Sequence, residues 1–246
     1  MFAVLGGSGF NSWSELKDIR RERITTPYGM PSDALTMGNV AGVPCVFLAR
    51  HGDGHVIPPH QINYRANIWA LRECGVSWIL SVATVGGITK GFSPGVLAIP
   101  HQLIDYTWGR RQTFFDDGEA VSHVDFTEPY SPKRREQILR AAQRVEEPVL
   151  YQAIYAVTQG PRLETAAEID KLERDGANIV GMTAMPEAVL ARELGLEYAA
   201  ITAVANHAAG RGDSRLRIDL AAIEAVHATA MGRVSKIIMT LAQGST

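Results

Sequence analysis

The chain predicts an α/β fold, a single domain over residues 1–246 with a mixed central β-sheet wrapped by helices. Three observations carry that expectation. Apolar runs of strand length alternate with amphipathic stretches along the whole chain, the pattern of strands interleaved with covering helices. The 246 residues are 46% apolar, enough for a full core at a length that commonly folds as one domain. Neither an internal repeat nor a low-complexity linker divides the sequence.

Taken in order, residues 2–5 form a short apolar strand that runs into Gly6-Gly7-Ser8-Gly9. Leu35–Val40 and Val43–Ala49 flank Ala41-Gly42 and read as a hairpin, with Arg50 at the end of its second strand. Residues 61–73 place Ile62, Ala66, Trp69 and Ala70 on one helical face and stop before Gly75. Residues 76–83 are expected as a buried strand that ends in a glycine turn, Thr84-Val85-Gly86-Gly87, with residues 96–99 as the next strand. In the second half, helices are expected over 132–145, Ala166–Arg174 and 186–194, and strands over 150–158, 178–181 and 198–205. A long helix over 218–242 closes the chain, with Ile223, Val226, Met231, Val234, Ile238 and Leu241 available for its apolar side. The irregular stretch 106–130 is long enough to serve a site or a subunit interface.

Charge and composition narrow the partners. A formal net charge of −2 gives no reason to expect a nucleic acid or an anionic membrane, so the ligand is expected to be small. No apolar stretch approaches the ~20 residues that span a bilayer. Only Cys45 and Cys74 occur, and no basic segment followed by an apolar signal core opens the chain, which together predict a reducing cytoplasm.

Two elements point to an anion. The glycines after residues 2–5 lie just past a strand end, where backbone N–H groups can converge on an oxyanion, and Ser8 adds a hydroxyl. In Arg50-His51-Gly52-Asp53-Gly54-His55, Arg50 is expected as a strand-end surface residue with few packing contacts, its planar fork suited to bidentate phosphate. His51 is expected as a donor whose charge follows pH near neutrality. Each element has a plainer reading. The glycine run lacks the Lys-Ser/Thr of a P-loop and the spacing of a dinucleotide fingerprint, so it also reads as a tight turn. Arg50-His51 also reads as a solvated strand end beside a carboxylate. Polar groups nevertheless collect at the expected strand ends: Ser8, Arg50-His51, Ala83-Thr84, residues 160–165, Gly181-Met182-Thr183 and Asn206-His207. Open α/β sheets bind ligands there.

Several spaced motifs occur in the order of a known family: Gly6-Gly7-Ser8-Gly9, Arg50-His51-Gly52, Asn63-Tyr64-Arg65-Ala66-Asn67-Ile68, Gly160-Pro161-Arg162 and Met182-Thr183-Ala184-Met185-Pro186-Glu187. Over its whole length the chain resembles the trimeric purine nucleoside phosphorylase and methylthioadenosine phosphorylase family. The segment from Arg50 to His55 running into Pro58-Pro59-His60-Gln61-Ile62-Asn63-Tyr64 is most similar to the methylthionucleoside branch. The resemblance implies a phosphorylase-like fold and a homotrimer. It also implies phosphorolysis of a purine N-glycosidic bond, with inorganic phosphate as co-substrate and neither metal nor cofactor. By similarity, Ser8, Arg50, His51, Thr84 and Thr183 bind phosphate, with the backbone around Ala83 and Thr84 assisting. Ala83 departs from the polar residue usual in relatives. Met182 packs on the ribose, and Leu163 and Ala208 join the substrate site.

Base and 5′ specificity rest on particular residues. Relatives that act on adenine nucleosides have Asp at the position of Asn206 and a small hydroxyl residue at that of Glu164, so this pair is similar to the branch that cleaves 6-oxopurine nucleosides. Hypoxanthine presents N1–H, O6 and an N7 that gains or shares a proton as the base leaves. Glu164 can accept from N1–H while Asn206, the expected catalytic residue, serves N7 and O6. Alternatively, Glu164 is a first-turn helix carboxylate and Asn206 a turn residue. The stretch from Ser122 to Tyr130 resembles the methylthionucleoside branch, in which the histidine matching His123 reaches a neighbour's 5′ site. Ile218, Ala221 and Ala222 match positions of the methylthio wall, although helix-core packing and an exposed loop are the ordinary roles of Ile218 and His123. The expected reaction is cleavage of S-methyl-5′-thioinosine to hypoxanthine and 5-methylthioribose 1-phosphate. The alternatives are methylthioadenosine or a broad range of 6-oxopurine nucleosides.

Overall fold

Among the described residues, eleven strands and five helices follow the alternation. The computed structural model describes residues 1–7, 13, 15–116 and 122–244. At the centre, β1 (Phe2–Gly6) pairs in parallel with β4 (Val43–Ala49) on one side and β5 (Trp78–Gly87) on the other. The expected hairpin joins β4 to β3 (Leu35–Val40), and β2 (Lys17–Glu22) forms that edge. Beyond β5 the sheet continues through β10 (Ile179–Gly181), β9 (Ile154–Val157) and β7 (Gln102–Asp105). β11 (Glu197–His207) runs parallel to β5 along its whole length and carries β6 (Leu97–Ala98), which in turn pairs with β8 (Val149–Leu150).

The period-2 geometry of β1 splits its apolar run between two cores. Ala3 and Leu5 pack in a cluster with residues of α1 (Tyr64–Glu73) and α4 (Ala184–Glu193). Phe2 and Val4 face the opposite cluster, with α2 (Pro132–Arg144) and α5 (Leu220–Gln243). A strand covered on both faces reads as a continuous apolar run, which is why residues 2–5 show no alternation. The remaining helix, α3 (Ala166–Arg174), packs Ile169 and Leu172 against Val180 and Ala208.

Where the elements differ from the sequence expectation, a local or tertiary reason is visible. α1 starts at Tyr64 rather than at 61: residues 59–61 form a 3₁₀ turn behind Pro58-Pro59, and the Asn63 side chain accepts from the Ala66 N–H at 3.1 Å. Thr84-Val85-Gly86-Gly87 is strand, not turn, because β11 stays paired with β5 to His207. The expected strand 150–158 is divided into β8 and β9, which pair with different neighbours. Two elements give no sequence signal. β2 is exposed along its length and built from Lys17-Asp18-Ile19-Arg20-Arg21-Glu22, a charged edge without apolar alternation, and β7 is half-buried throughout. No described helix is long and apolar enough to cross a membrane.

Gly87 shows how tightly the β5 end is packed. A Cβ there would lie 1.7 Å from the Phe92 carbonyl oxygen. Backbone cannot yield as a flexible side-chain end can, so Gly87→Ala should lower unfolding free energy by about 3 kcal/mol or more in urea titration.

Candidate active site

The site lies where β5 changes partners. Its ladder with β1 stops at Ser81, and its ladder with β10 begins at Gly86. Strands on the same edge thus diverge over residues 82–85. A cavity of about 450 Å³ lies there, with Ala83, Thr84, Val85 and Gly86 in its wall. The end of β1 adds Gly7, the end of β4 adds Arg50 and His51, and the β10–α4 junction adds Met182 and Thr183. Leu163, Glu164, Asn206 and Ala208 complete the side nearest α3 and β11. Ser8 and Gly9 lie outside the described residues.

Arg50 is not the strand-end surface residue the sequence suggested; it is 0% exposed. Its fork is already engaged by the equally buried Glu187 of α4, through Nε to Oε1 and through Nη2 to Oε2 at 3.1 Å. Nη2 also donates to Ser81 Oγ at 2.7 Å and to the Leu5 carbonyl at 3.1 Å, while Nη1 donates to the Val82 carbonyl at 3.1 Å. Tyr198 adds a hydroxyl donor to Glu187 Oε2 at 2.9 Å. Burial disfavours the guanidinium charge, but Glu187 more than offsets this and holds Arg50 protonated. Nη1, with two N–H groups and the Val82 carbonyl as its acceptor, keeps one donor to spare, and Arg50 belongs to the cavity wall. Gly7 is required beside it: a Cβ would lie 2.9 Å from both Nη1 and the Val82 oxygen.

His51 differs from expectation in charge. Its Nδ1–H donates to the Ile57 carbonyl at 2.8 Å, and burial together with the Arg50 charge lowers its pKa to about 4. It is therefore neutral at pH 7, and the fixed tautomer leaves Nε2 as a lone-pair acceptor. His55 stacks on it with ring centroids 4.2 Å apart, and burial lowers its pKa too. Across the cavity wall, the Thr84 hydroxyl is buried without a hydrogen-bond partner. Thr183 is buried and its hydroxyl makes no capping bond to α4, where Met185 and Pro186 depart from helical geometry.

At the other end, Glu164 Oε1 accepts from Thr158 Oγ1 at 2.6 Å, and burial raises the carboxyl's pKa. Glu164 is not a first-turn helix carboxylate. Thr165 is the N-cap of α3, and Thr165 and Glu168 form a capping box one step beyond. Asn206 lies within β11 rather than in a turn, just past a register shift between Val204 and Asn206. Its amide NH₂ donates to the His207 carbonyl at 2.6 Å, which fixes the amide so that Oδ1 is the acceptor offered to a ligand. The third end of the cavity is apolar, lined by Ile218 and Ile223. Ala222 is exposed and outside the cavity wall; with α5 beginning after its Asp219 cap, the inward position falls to Ile223. His123 is exposed and does not line the cavity of its own chain.

Residues 1–243 match the phosphorylase superfamily model. The chain is 49% identical over 243 residues to a probable S-methyl-5′-thioinosine phosphorylase of Xanthomonas campestris, covering 98% of this chain and 97% of that one. It is 46% identical over 220 residues to a 6-oxopurine nucleoside phosphorylase of Pyrococcus furiosus, covering 87% and 82%. The structure of methylthioadenosine phosphorylase from Schistosoma mansoni in complex with adenine superposes with a TM-score of 0.94 at 31% identity, covering 100% of this chain and 92% of that one. The chain belongs to the phosphorylase superfamily, on its purine nucleoside branch.

Three residues of this phosphorylase shape the site without having been singled out by sequence pattern. Glu187 closes the matched motif, but only the fold shows that it holds Arg50. Thr158 reads in sequence only as the end of a strand. Arg110, in the irregular stretch, donates to the carbonyls of Met182, Gln159 and Thr158 at 2.8, 2.8 and 3.3 Å, tying the wall that holds Met182 to the wall that holds Glu164.

Removing Arg50 strands a buried carboxylate. Arg50→Met should therefore cost about 3–5 kcal/mol in chemical denaturation, and Arg50→Met with Glu187→Leu should recover part of that loss. A loss below about 1 kcal/mol for the single variant would show that the pair does not hold this junction. The unfolded chain protonates histidine near pH 6.5, whereas folded His51 stays neutral to about pH 4. The unfolded state thus binds the extra proton in that window, so the stability His51 contributes falls as pH drops from 6.5 to 4. Without phosphate, His51→Gln should flatten that acid limb by about 2–3 kcal/mol in urea titrations at stepped pH.

Proposed function

We propose that this protein is an S-methyl-5′-thioinosine phosphorylase, working in the cytoplasm as a homotrimer without a cofactor. The observation that carries the base preference is the presence of Glu164 and Asn206 in one cavity, each already oriented by a neighbour: Thr158 on the carboxylate, and the His207 carbonyl on the amide. A charged Glu164 accepts from the N1–H of hypoxanthine, and Asn206 Oδ1 accepts from an N7–H. Adenine brings a lone pair at N1, which would leave the carboxylate facing another acceptor.

The reaction is a displacement at C1′. An oxygen of hydrogenphosphate bonds to C1′ as the C1′–N9 electron pair leaves with the base, and in net the phosphate proton passes to the purine. Inorganic phosphate would occupy the end of the cavity at Thr84, Thr183 and Nη1 of Arg50, and the family resemblance adds Ser8 as a further donor. His51 offers Nε2 as an acceptor, so it suits a phosphate that still carries a P–OH proton. Asn206 stabilises the protonated leaving base, and Met182 covers the ribose. Ile218 and Ile223 suit a methylthio group better than a hydroxyl, which would find little polar company there. Leu216 and Leu220 beside them are 98% and 67% exposed, which supports a second copy covering that end and bringing its own His123.

The decisive measurement is kcat/KM for methylthioinosine, methylthioadenosine and inosine, each with and without phosphate. Methylthioinosine should lead methylthioadenosine by up to roughly 10⁴-fold, with no base release in the absence of phosphate. Glu164→Ser with Asn206→Asp should narrow the gap. Equal or faster cleavage of methylthioadenosine by the unaltered protein overturns the base assignment, and phosphate-independent base release overturns the phosphorolysis.

A further inference from the structure

We propose that Thr158 is a specificity-determining positioning residue, which sets the base preference by holding Glu164 as a hydrogen-bond acceptor. The inference rests on the base assignment above and adds a residue that does not itself touch the purine.

Thr158 stands between two acceptors. Its Oγ1 lies 2.6 Å from Glu164 Oε1 and 3.3 Å from the Gly181 carbonyl. A hydroxyl has one proton to give, and both the shorter distance and the negative charge direct it to the carboxylate. The bond commits Oε1 and leaves the other carboxylate oxygen for a base. It also requires that Glu164 carry no proton on Oε1. When Glu164 is protonated there, the hydroxyl must turn to Gly181 and accept instead, so its orientation and the charge of Glu164 change together. A charged Glu164 pairs with the N1–H of a 6-oxopurine, whereas a protonated Glu164 can donate to the bare N1 of adenine. The bond that stabilises the carboxylate is therefore a bond against adenine.

The other groups around Glu164 cannot take over this role. Burial pushes its pKa up; the Thr158 bond pulls it down, and its own backbone N–H does so less strongly and is common to any residue at position 158. Arg162 and Glu168 act on it in opposite senses, and they are locked to each other through two bonds of 2.7 and 2.8 Å, so their fields largely cancel. A second cavity of about 260 Å³ backs onto both Glu164 and Thr158. Its charged residues are again Arg162 and Glu168, with Lys171, which lies over the Tyr106 ring at 5.1 Å. On the near side Asn206 and Met182 are neutral, and Arg110 is spent on carbonyls, including that of Thr158. Thr158 is thus the side chain that donates directly to Glu164 while keeping a fixed place, because Arg110 and the β9–β10 ladder hold its backbone.

The test uses the nearly isosteric Thr158→Val and the rescue variant Thr158→Ser. Both methylthioinosine and methylthioadenosine are assayed with phosphate from pH 5.5 to 8.5. In Thr158→Val the ratio of the two kcat/KM values should fall about ten-fold or more at pH 7, because Glu164 takes up its proton at higher pH. The pH at which methylthioadenosine cleavage rises should move upward, and Thr158→Ser should restore both. Carboxyl ¹³C NMR of the Glu-labelled protein reads the same shift at Glu164 without turnover, and serves where Thr158→Val is poorly active. An unchanged ratio with an unchanged Glu164 titration overturns the proposal, as does an equal loss for both substrates, which would mark a structural role. Preference for methylthioadenosine by the unaltered protein is a failure of the base assignment instead, and it is visible before any variant is made.

Discussion

The buried ion pair between Arg50 and Glu187 is the constraint on which the site depends. Two charges taken wholly out of water carry a desolvation penalty that their attraction alone does not reliably offset, so such a pair persists only where its remaining hydrogen-bonding groups are satisfied. Here the donors and acceptors come from the whole neighbourhood: Leu5 at the end of β1, Ser81 and Val82 of β5, and Tyr198 of β11. The pair thereby joins β1, β4, β5, β11 and α4 at one point. That point adjoins the place where β5 leaves β1 and has not yet met β10, so the gap that forms the cavity has a rigid floor.

This arrangement changes what kind of anion site the cavity can be. A free arginine fork would offer two parallel donors and strong, indiscriminate attraction for anions. Arg50 is instead committed to Glu187 and to carbonyls, with one spare N–H at Nη1, and the described groups around it are neutral: an unpartnered Thr84 hydroxyl, Thr183 at the start of α4, and an imidazole held uncharged by burial and by Arg50. Such a site selects by hydrogen-bond pattern. A neutral acceptor at His51 Nε2 favours an anion that brings a proton, which hydrogenphosphate does. It also fits a protein with no basic surplus overall.

Much of the site was legible as residue identity, and little of it as orientation. Glu164 and Asn206 could be paired from the sequence only through the family resemblance, which gives both positions a place beside the base. That Asn206 offers Oδ1, and that Glu164 leans on Thr158, depends on the β11 register shift and on the β9 end, which no local pattern encodes. Arg50 shows the opposite case. Its position after a strand reads as surface, since arginine is seldom fully buried; only the distant Glu187, 137 residues on, reverses that expectation. Ala222 and Ile223 differ by one step of helix phase, which the Asp219 cap sets.

The sequence by itself determined the alternation of strands and helices, the hairpin of β3 and β4, the boundaries of α3, and the residue types that collect at the strand ends. These are local matters of periodicity, capping and chemical complementarity. The tertiary structure decided the rest. Glycines 86 and 87 lie in a strand because β11 pairs beside them, the charged stretch of β2 becomes an edge because β3 offers one, and His51 loses its charge because the fold buries it next to Arg50. The physical reason is the same in each case: pairing partners, burial and electric field come from residues far away in sequence, and they outweigh the fraction of a kcal/mol to about 1 kcal/mol per residue that local preference supplies.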